Sequence, residues 1–459
     1  MSTTFYRIGA RQESSQSVLI RTPAAASVSV VAGGHTVSGE SDPLVYDGSV
    51  VLSVPVSSAV EGRVVVDGVD IGGVSLAPKA SGAHLSAWIS CQTQVYDGAF
   101  AYYLATLDLH HVSSIGDTGY TSDVSNDLTV MWGENFQSIK TAGTIQARQQ
   151  NLSNLLTFHR QWQNVTGNKR LGTRVPYLLV PDDHDYPVPD NHNNTPFQLN
   201  QPAGPTGVGD PIDGSWTPNQ DDVDAVNAVS NEAFDTYYHR TNPNGARIDL
   251  GDGLPFNGFS YAVGPALYIH IDCTSGRVGT TGDTITAEQE QWLYDQLALS
   301  GYDHYIVLSP KEFLHGLTTN DTWINYSTQR DRIKSHIAGL TSKCVTILTG
   351  DRHNPIACYD ESSGILQVNS SPASHRDSEA MGSGYVGSGN SQWARWKVWG
   401  YAGISTDDAD QFVGIVDVRD DGRMFVELHD CRRMRNPVRY RVERRAGDQG
   451  IYYTPMKIG

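Results

Sequence analysis

Val345-Thr346-Ile347-Leu348-Thr349-Gly350-Asp351-Arg352-His353 runs from a β-prone apolar stretch straight into a glycine, a carboxylate and an imidazole. The pattern recurs. Leu85 to Ile89 leads into Ser90-Cys91-Gln92, Tyr177 to Val180 into Asp182-Asp183-His184-Asp185, and Ala266 to Ile271 ends at Asp272. Val112 to Ile115 precedes Gly116-Asp117-Thr118-Gly119-Tyr120. Short apolar runs of this kind read as buried parallel strands, whose carboxyl ends project side chains into one crevice. A single aspartate after a strand is commonly a turn former, and a lone buried cysteine a small hydrophobe. Five such tips in one chain order read instead as a two-metal hydrolase centre.

The chain has 459 residues, beyond the size at which one core keeps growing, so two domains are expected. With 39% hydrophobic residues it has ample material for a core. A formal net charge of -17, from 33 Lys+Arg against 50 Asp+Glu, argues against nucleic-acid binding through a basic face. It leaves a phosphorylated substrate open, because bound cations invert the local potential of an acidic pocket. The five cysteines are too scattered for a disulfide scaffold, and no CxxC pair suggests a zinc ribbon. Neither a signal peptide nor an 18-residue apolar run is visible, so the expectation is cytoplasmic synthesis without a membrane span, with assembly into a virion or export without a cleaved signal left open.

Residues 1–82 differ in texture from the rest. Val18-Leu19-Ile20, Ser27 to Val31, Ser49 to Val54 and Arg63 to Val66 are Val-rich alternating runs separated by turn residues, as in a small β-sandwich. No group there has ligand spacing, so the domain is read as one for support or for docking to another protein or assembly. Leu76 to Ser81 is the linker. From Leu85 on, strands alternate with helical patterns over Thr144 to Asn164, Asp221 to Arg240 and Thr286 to Leu299, which argues for α/β layering over 83–459. Pro187 to Asn219 reads as a long functional loop, and Phe412 to Leu428 as a hairpin turning at Asp420-Asp421-Gly422. His110-His111 and His192 lack metal spacing and are read as loop residues. The Arg-rich stretch Arg432 to Arg445 is read as a solvated edge strand.

Hydrolysis of a phosphoester by two metals needs a bridging anionic ligand, terminal ligands on each ion, and a donor for the departing oxygen. Asp117, between glycines that permit a tight turn, suits the bridge. Cys91 as thiolate and Tyr120 as phenolate are strong anionic donors that favour trivalent iron over zinc or magnesium. Asp183 offers a carboxylate to the second ion, and His184 can donate to a phosphoryl oxygen or protonate the leaving alkoxide. Asp351 and His353, two apart on an extended segment, point to the same side.

At these residues the chain resembles the PhoD-like alkaline phosphatases, a branch of the calcineurin-like metallophosphoesterases. Ala87-Trp88-Ile89-Ser90-Cys91-Gln92 is similar to the family's Ala-Ser-Cys-Gln strand end. Ile115-Gly116-Asp117-Thr118-Gly119-Tyr120 resembles Leu-Gly-Asp-x-x-Tyr, and Pro181-Asp182-Asp183-His184-Asp185 resembles Trp-Asp-Asp-His-Glu. Asp272 to Arg277, Gln289 to Leu293 and Thr349-Gly350-Asp351-Arg352-His353 resemble its Leu-Asp-x-Arg, Gln-x-x-Trp-Leu and Ser-Gly-Asp-x-His segments.

The resemblance implies a four-layer α-β-β-α metallophosphoesterase sandwich preceded by a small all-β N-terminal domain. It implies Fe(III) with a divalent ion, calcium first, with manganese, magnesium or zinc as alternatives. Cys91, Asp117, Tyr120 and His353 would hold iron. Asp117, Asp183 and Asp351 would hold the divalent ion, with Asp182 the alternative to Asp183. His184 would serve the transition state, and Asp272, Arg277 and Arg352 the substrate side. Pro181, Asp185 and the longer stretch from Asp272 to Arg277 depart from the pattern and leave substrate preference open.

The expected activity is hydrolysis of phosphomonoesters or phosphodiesters by a metal-bridging hydroxide. The rival reading is a structural or adhesion component, for instance of a virus particle, built on the same scaffold. A serine hydrolase and a P-loop kinase are disfavoured by missing motifs.

Overall fold

The computed structural model describes residues 4–92, 99–118, 166–182, 185, 231–243, 247–251, 256–274, 283–314, 322–351, 355–370, 373, 411–431 and 438–453. The expected helix over 144–164, the loop over 187–219, and the site residues Tyr120, Asp183, His184, Arg277, Arg352 and His353 lie outside them.

The Val-rich N-terminal runs build two antiparallel sheets. One joins β1 (Phe5–Arg11), β2 (Ser15–Arg21) and β5 (Ser49–Pro55). The other joins β3 (Ala26–Ala32), β4 (His35–Ser41), β6 (Val60–Val66) and β7 (Val69–Leu76). Alternation puts Ile8, Val18, Ile20, Val28, Val30, Leu52, Val54 and Val64 into one buried layer between them. Asp67 and Gly68, at φ 47° and 80°, close the β6–β7 hairpin with the left-handed pair such tight turns require.

A seven-stranded sheet runs β10-β9-β8-β17-β18-β19-β20, and a six-stranded one β11-β12-β13-β14-β16-β15. In the first, β8 (His84–Ile89), β9 (His111–Ile115) and β10 (Tyr177–Val180) are parallel. In the second, β12 (Ala266–His270), β13 (His304–Ser309), β14 (Cys344–Thr349) and β16 (Ile365–Asn369) are parallel. The antiparallel members are β11 (Phe259–Val263), β15 (Ile356–Asp360), β17 (Phe412–Val418), β18 (Arg423–Asp430), β19 (Val438–Arg445) and β20 (Tyr452–Tyr453). The two sheets meet on Trp88, Ile115, Leu178 and Val180 from one face and Tyr268, Ile306, Leu308 and Leu348 from the other.

On the outer face of the first sheet, α1 (Ala99–Leu104), α2 (Thr166–Gly172) and the helical residues 231–237 bury Phe100, Leu104, Leu171 and Phe234. On that of the second, α3 (Ala287–Ala298) and α4 (Ser327–Gly339) bury Leu293, Leu297, Ile333 and Ile337. The layering is the expected α-β-β-α sandwich. α3 starts where the sequence places it, because the Thr286 hydroxyl accepts from the Gln289 amide at 3.1 Å.

Two expectations are corrected. His111 is not a loop residue: it opens β9, ringed by His110, Tyr261 and Tyr268, and His110, in the bend just before the strand, is buried with it. The described part of the Arg-rich stretch, β19, is not a solvated edge. β19 pairs with both β18 and β20, and Arg444 is fully buried, donating to the carbonyls of Val345, Gly364, Gln449 and Gly450. A guanidinium has enough donors to satisfy several carbonyls that would otherwise be orphaned in the core.

The N-terminal sheets dock on the rest of the same chain. Arg7 of β1, 1% exposed, donates to Thr241 Oγ1 at 2.8 Å and to the Tyr237 and Tyr177 carbonyls, with its guanidinium over the Tyr238 ring.

Candidate metal centre

Each parallel strand around the cleft delivers one side chain at the same offset. Cys91, Asp117 and Asp182 stand two residues past the ends of β8, β9 and β10, and Asp272, Lys311 and Asp351 two past β12, β13 and β14. The carboxyl edges of both sheets therefore converge on one place. Asp117, Asp182 and Asp351 each bring a carboxylate oxygen within 4.8 Å of the others. The Cys91 thiol lies 3.4 Å from Asp117 Oδ2 and 3.2 Å from the Asp351 carbonyl.

The backbone is bent to achieve this. Cys91, Asp117 and Asp351 all adopt left-handed φ, at 57°, 54° and 63°. For residues with a Cβ this costs on the order of 1–2 kcal/mol each, and such outliers gather at functional sites. Glycines make room: Gly116, at φ 91°, faces Asp182 so closely that an added Cβ would lie 2.2 Å from its Cβ. A Cβ on Gly350 would meet Ser90 Oγ at 2.5 Å, where the two sheets come together.

Buried polar contacts then aim the carboxylates. Thr274 Oγ1 donates to Asp182 Oδ1 at 3.1 Å. Asp272, fully buried, holds the turn that carries Thr274: its carboxylate accepts from the Thr274 amide at 3.0 Å and the Asn257 amide at 2.9 Å. The residue expected on the substrate side thus spends both oxygens on backbone. Asp185 accepts from the Thr118 amide at 2.7 Å and the Asp182 amide at 2.9 Å, tying β9's tip to β10's. Burial, with the Asp117 charge adding to it, pushes its carboxyl up to about 8 despite those amide donors.

Lys311 was not singled out from the sequence. Its ammonium, 1% exposed, pairs with Asp182 Oδ2 at 2.8 Å and with Asp351 Oδ1 at 3.5 Å. The signal that could have found it is the offset itself, two residues past the end of β13 at Ser309.

No protein-family model and no curated protein matches the chain. Among solved structures, PhoD aligns over 99% of this chain and 93% of its own, with a TM-score of 0.68 and 14% identity. The fold is that of PhoD. The purple acid phosphatase PPD1 from yellow lupin (Lupinus luteus) seeds aligns over 95% of this chain and 74% of its own, with a TM-score of 0.53 and 10% identity. In this PhoD-like fold the carboxylate group lies at strand tips drawn from both central sheets. Among the described residues no helix is long and apolar enough to cross a membrane.

Proposed function

We propose that the chain hydrolyses phosphate esters at a metal centre built on Asp117, Asp182 and Asp351. The observation that carries this reading is the convergence of three buried or half-buried carboxylates within 4.8 Å, on a fold shared with PhoD and a purple acid phosphatase. The donors fit a cation: three carboxylates against one ammonium, that of Lys311, leave net negative charge in a desolvated cleft. Cys91 beside Asp117 adds a strong anionic donor, which together with the Tyr120 phenolate suits iron(III), with His353 as a further ligand in this reading. Bound cations would supply Lewis acidity at a phosphoryl oxygen and an acidified water as nucleophile.

The chain's own groups do the rest. In this reading His184 donates to the developing charge or to the leaving alkoxide, and Arg352 and Arg277 serve the phosphate, whose oxygens suit guanidinium forks. Thr274, held by Asp272, fixes the rotamer of Asp182.

The reading is tested with purified protein on p-nitrophenyl phosphate and bis(p-nitrophenyl) phosphate, with and without chelator. Turnover of at least one, lost on chelation and restored by metal, is expected; no metal-dependent turnover on either would sink it. His184→Ala should lower turnover about 10²–10⁴-fold and leave metal content unchanged. Loss of metal instead would make that residue a ligand.

A further inference from the structure

The loading implied by the sequence motifs puts a divalent ion between Asp351 and a carboxylate of the 182–183 pair. In the folded chain a cation is already there. Lys311 Nζ stands between Asp182 Oδ2, at 2.8 Å, and Asp351 Oδ1, at 3.5 Å. The other oxygen of Asp182 accepts from Thr274, so both of its oxygens are engaged.

The lysine is not a surface side chain that has drifted inward. Its root is pinned: Ser309 Oγ donates to the Lys311 carbonyl at 2.7 Å and itself accepts from Trp323 Nε1 at 3.1 Å. The Gly350 amide donates to the Pro310 carbonyl at 3.3 Å, which locks the tip of β13 to that of β14. With its side chain 1% exposed, the ammonium is desolvated, and leaving the carboxylates would strand a buried charge.

We infer that the Lys311 ammonium takes the place of the second cation, so that the centre retains one metal ion, on the Cys91 and Asp117 side. The inference rests on the metal-centre reading above and revises its ion count. An ion bridging Asp182 and Asp351 would have to occupy the space of Nζ, and the two positive charges would repel. Among the described residues the three carboxylates and one ammonium leave two negative charges, matched by one divalent ion. With Cys91 as thiolate they leave three, matched by one iron(III). The ammonium also changes the chemistry. It is a fixed positive charge beside the carboxylates, but it does not acidify a water as a second metal does.

The test is ion stoichiometry, by native mass spectrometry and elemental analysis of the full chain after saturation with iron, Mn²⁺ or Ca²⁺. One ion per wild-type chain, and two per Lys311→Met chain with the second bound at least tenfold more tightly than any second ion in the wild type, is the expected result. Two ions in the wild type overturn the inference and leave the phosphoesterase reading intact. None in the wild type removes the metal centre and the inference together. One ion in Lys311→Met overturns it as well. Lys311→Met leaves Asp182 and Asp351 facing each other without a cation, so it should melt early when metal-free. Added Mn²⁺ or Ca²⁺ should restore its melting temperature to the wild-type value. A variant that no divalent ion rescues overturns the inference, because the vacated position would then not be a cation site.

Discussion

Asp272 illustrates how a carboxylate can serve the proposed metal centre by holding the turn beside it. It holds the amides of Asn257 and Thr274, and Thr274 in turn holds Asp182. Substituting the carboxylate with an amide keeps the volume but replaces one acceptor oxygen with a donor that faces a backbone N–H. Asp272→Asn is therefore expected to weaken metal affinity by about 10–100-fold, the usual effect of disturbing a group that orients a ligand. Isothermal titration with Mn²⁺ reads this directly; an unchanged affinity in a folded variant would remove Asp272 from the site. At this scale the sequence was informative in one direction only. Cys91, Asp117 and Asp351 stand out because each follows an apolar run, whereas Asp182 is read only as the alternative to Asp183. Lys311 was passed over because a lysine after a strand looks like a solvated end, and only its neighbours make it an ion pair.

Among the elements, the pairing of β8 with β17 is set by one contact. Gly414 lies opposite Trp88, and a Cβ there would come within 2.2 Å of the indole. Trp88 is fully buried between the sheets and stands three residues before Cys91. Gly414→Ala must push the indole or the strand aside, at a cost of about 1–3 kcal/mol for overpacking. The melting temperature should fall and metal affinity with it, since the strand that aims Cys91 moves; a variant as stable as the wild type would show that β17 yields without effect. The hairpin from β17 to β18 and the start of α3 were readable from turn and cap residues, which act over a few positions. The glycine was not, because its reason sits on another strand.

Taken whole, the molecule carries an unusual load of buried imidazole. Burial lowers His84 to about 4, His270 to about 3 and His304 to about 4, and holds His110, His111 and His239 below the ordinary value as well. In the unfolded chain these groups titrate near the usual ~6.5. The stability they contribute is fully present above that value and is lost as pH falls from about 6.5 towards 3–4, because the unfolded state takes up protons first. Asp185, raised to about 8, works in the opposite sense, but one carboxyl does not offset six imidazoles. Each tenfold loss of proton affinity on burial is worth about 1.4 kcal/mol, so the imidazoles together should remove several kcal/mol between about pH 7 and pH 4.5. Urea midpoints measured across that range should fall steadily; a flat profile down to its acid end would contradict the burial of these rings.

The sequence by itself determined the alternation of strands with helices, the Val-rich N-terminal sheets and the polar tips that mark the cleft. Those features are written in periodicity and turn chemistry, which act between near neighbours in the chain. Only the tertiary structure decided that His110 and His111 lie in the core, that Arg7 and Arg444 are buried, and that Lys311 sits between two aspartates. Each of these depends on which strands are adjacent, and a charge becomes a partner or a burden only when remote segments remove the water around it.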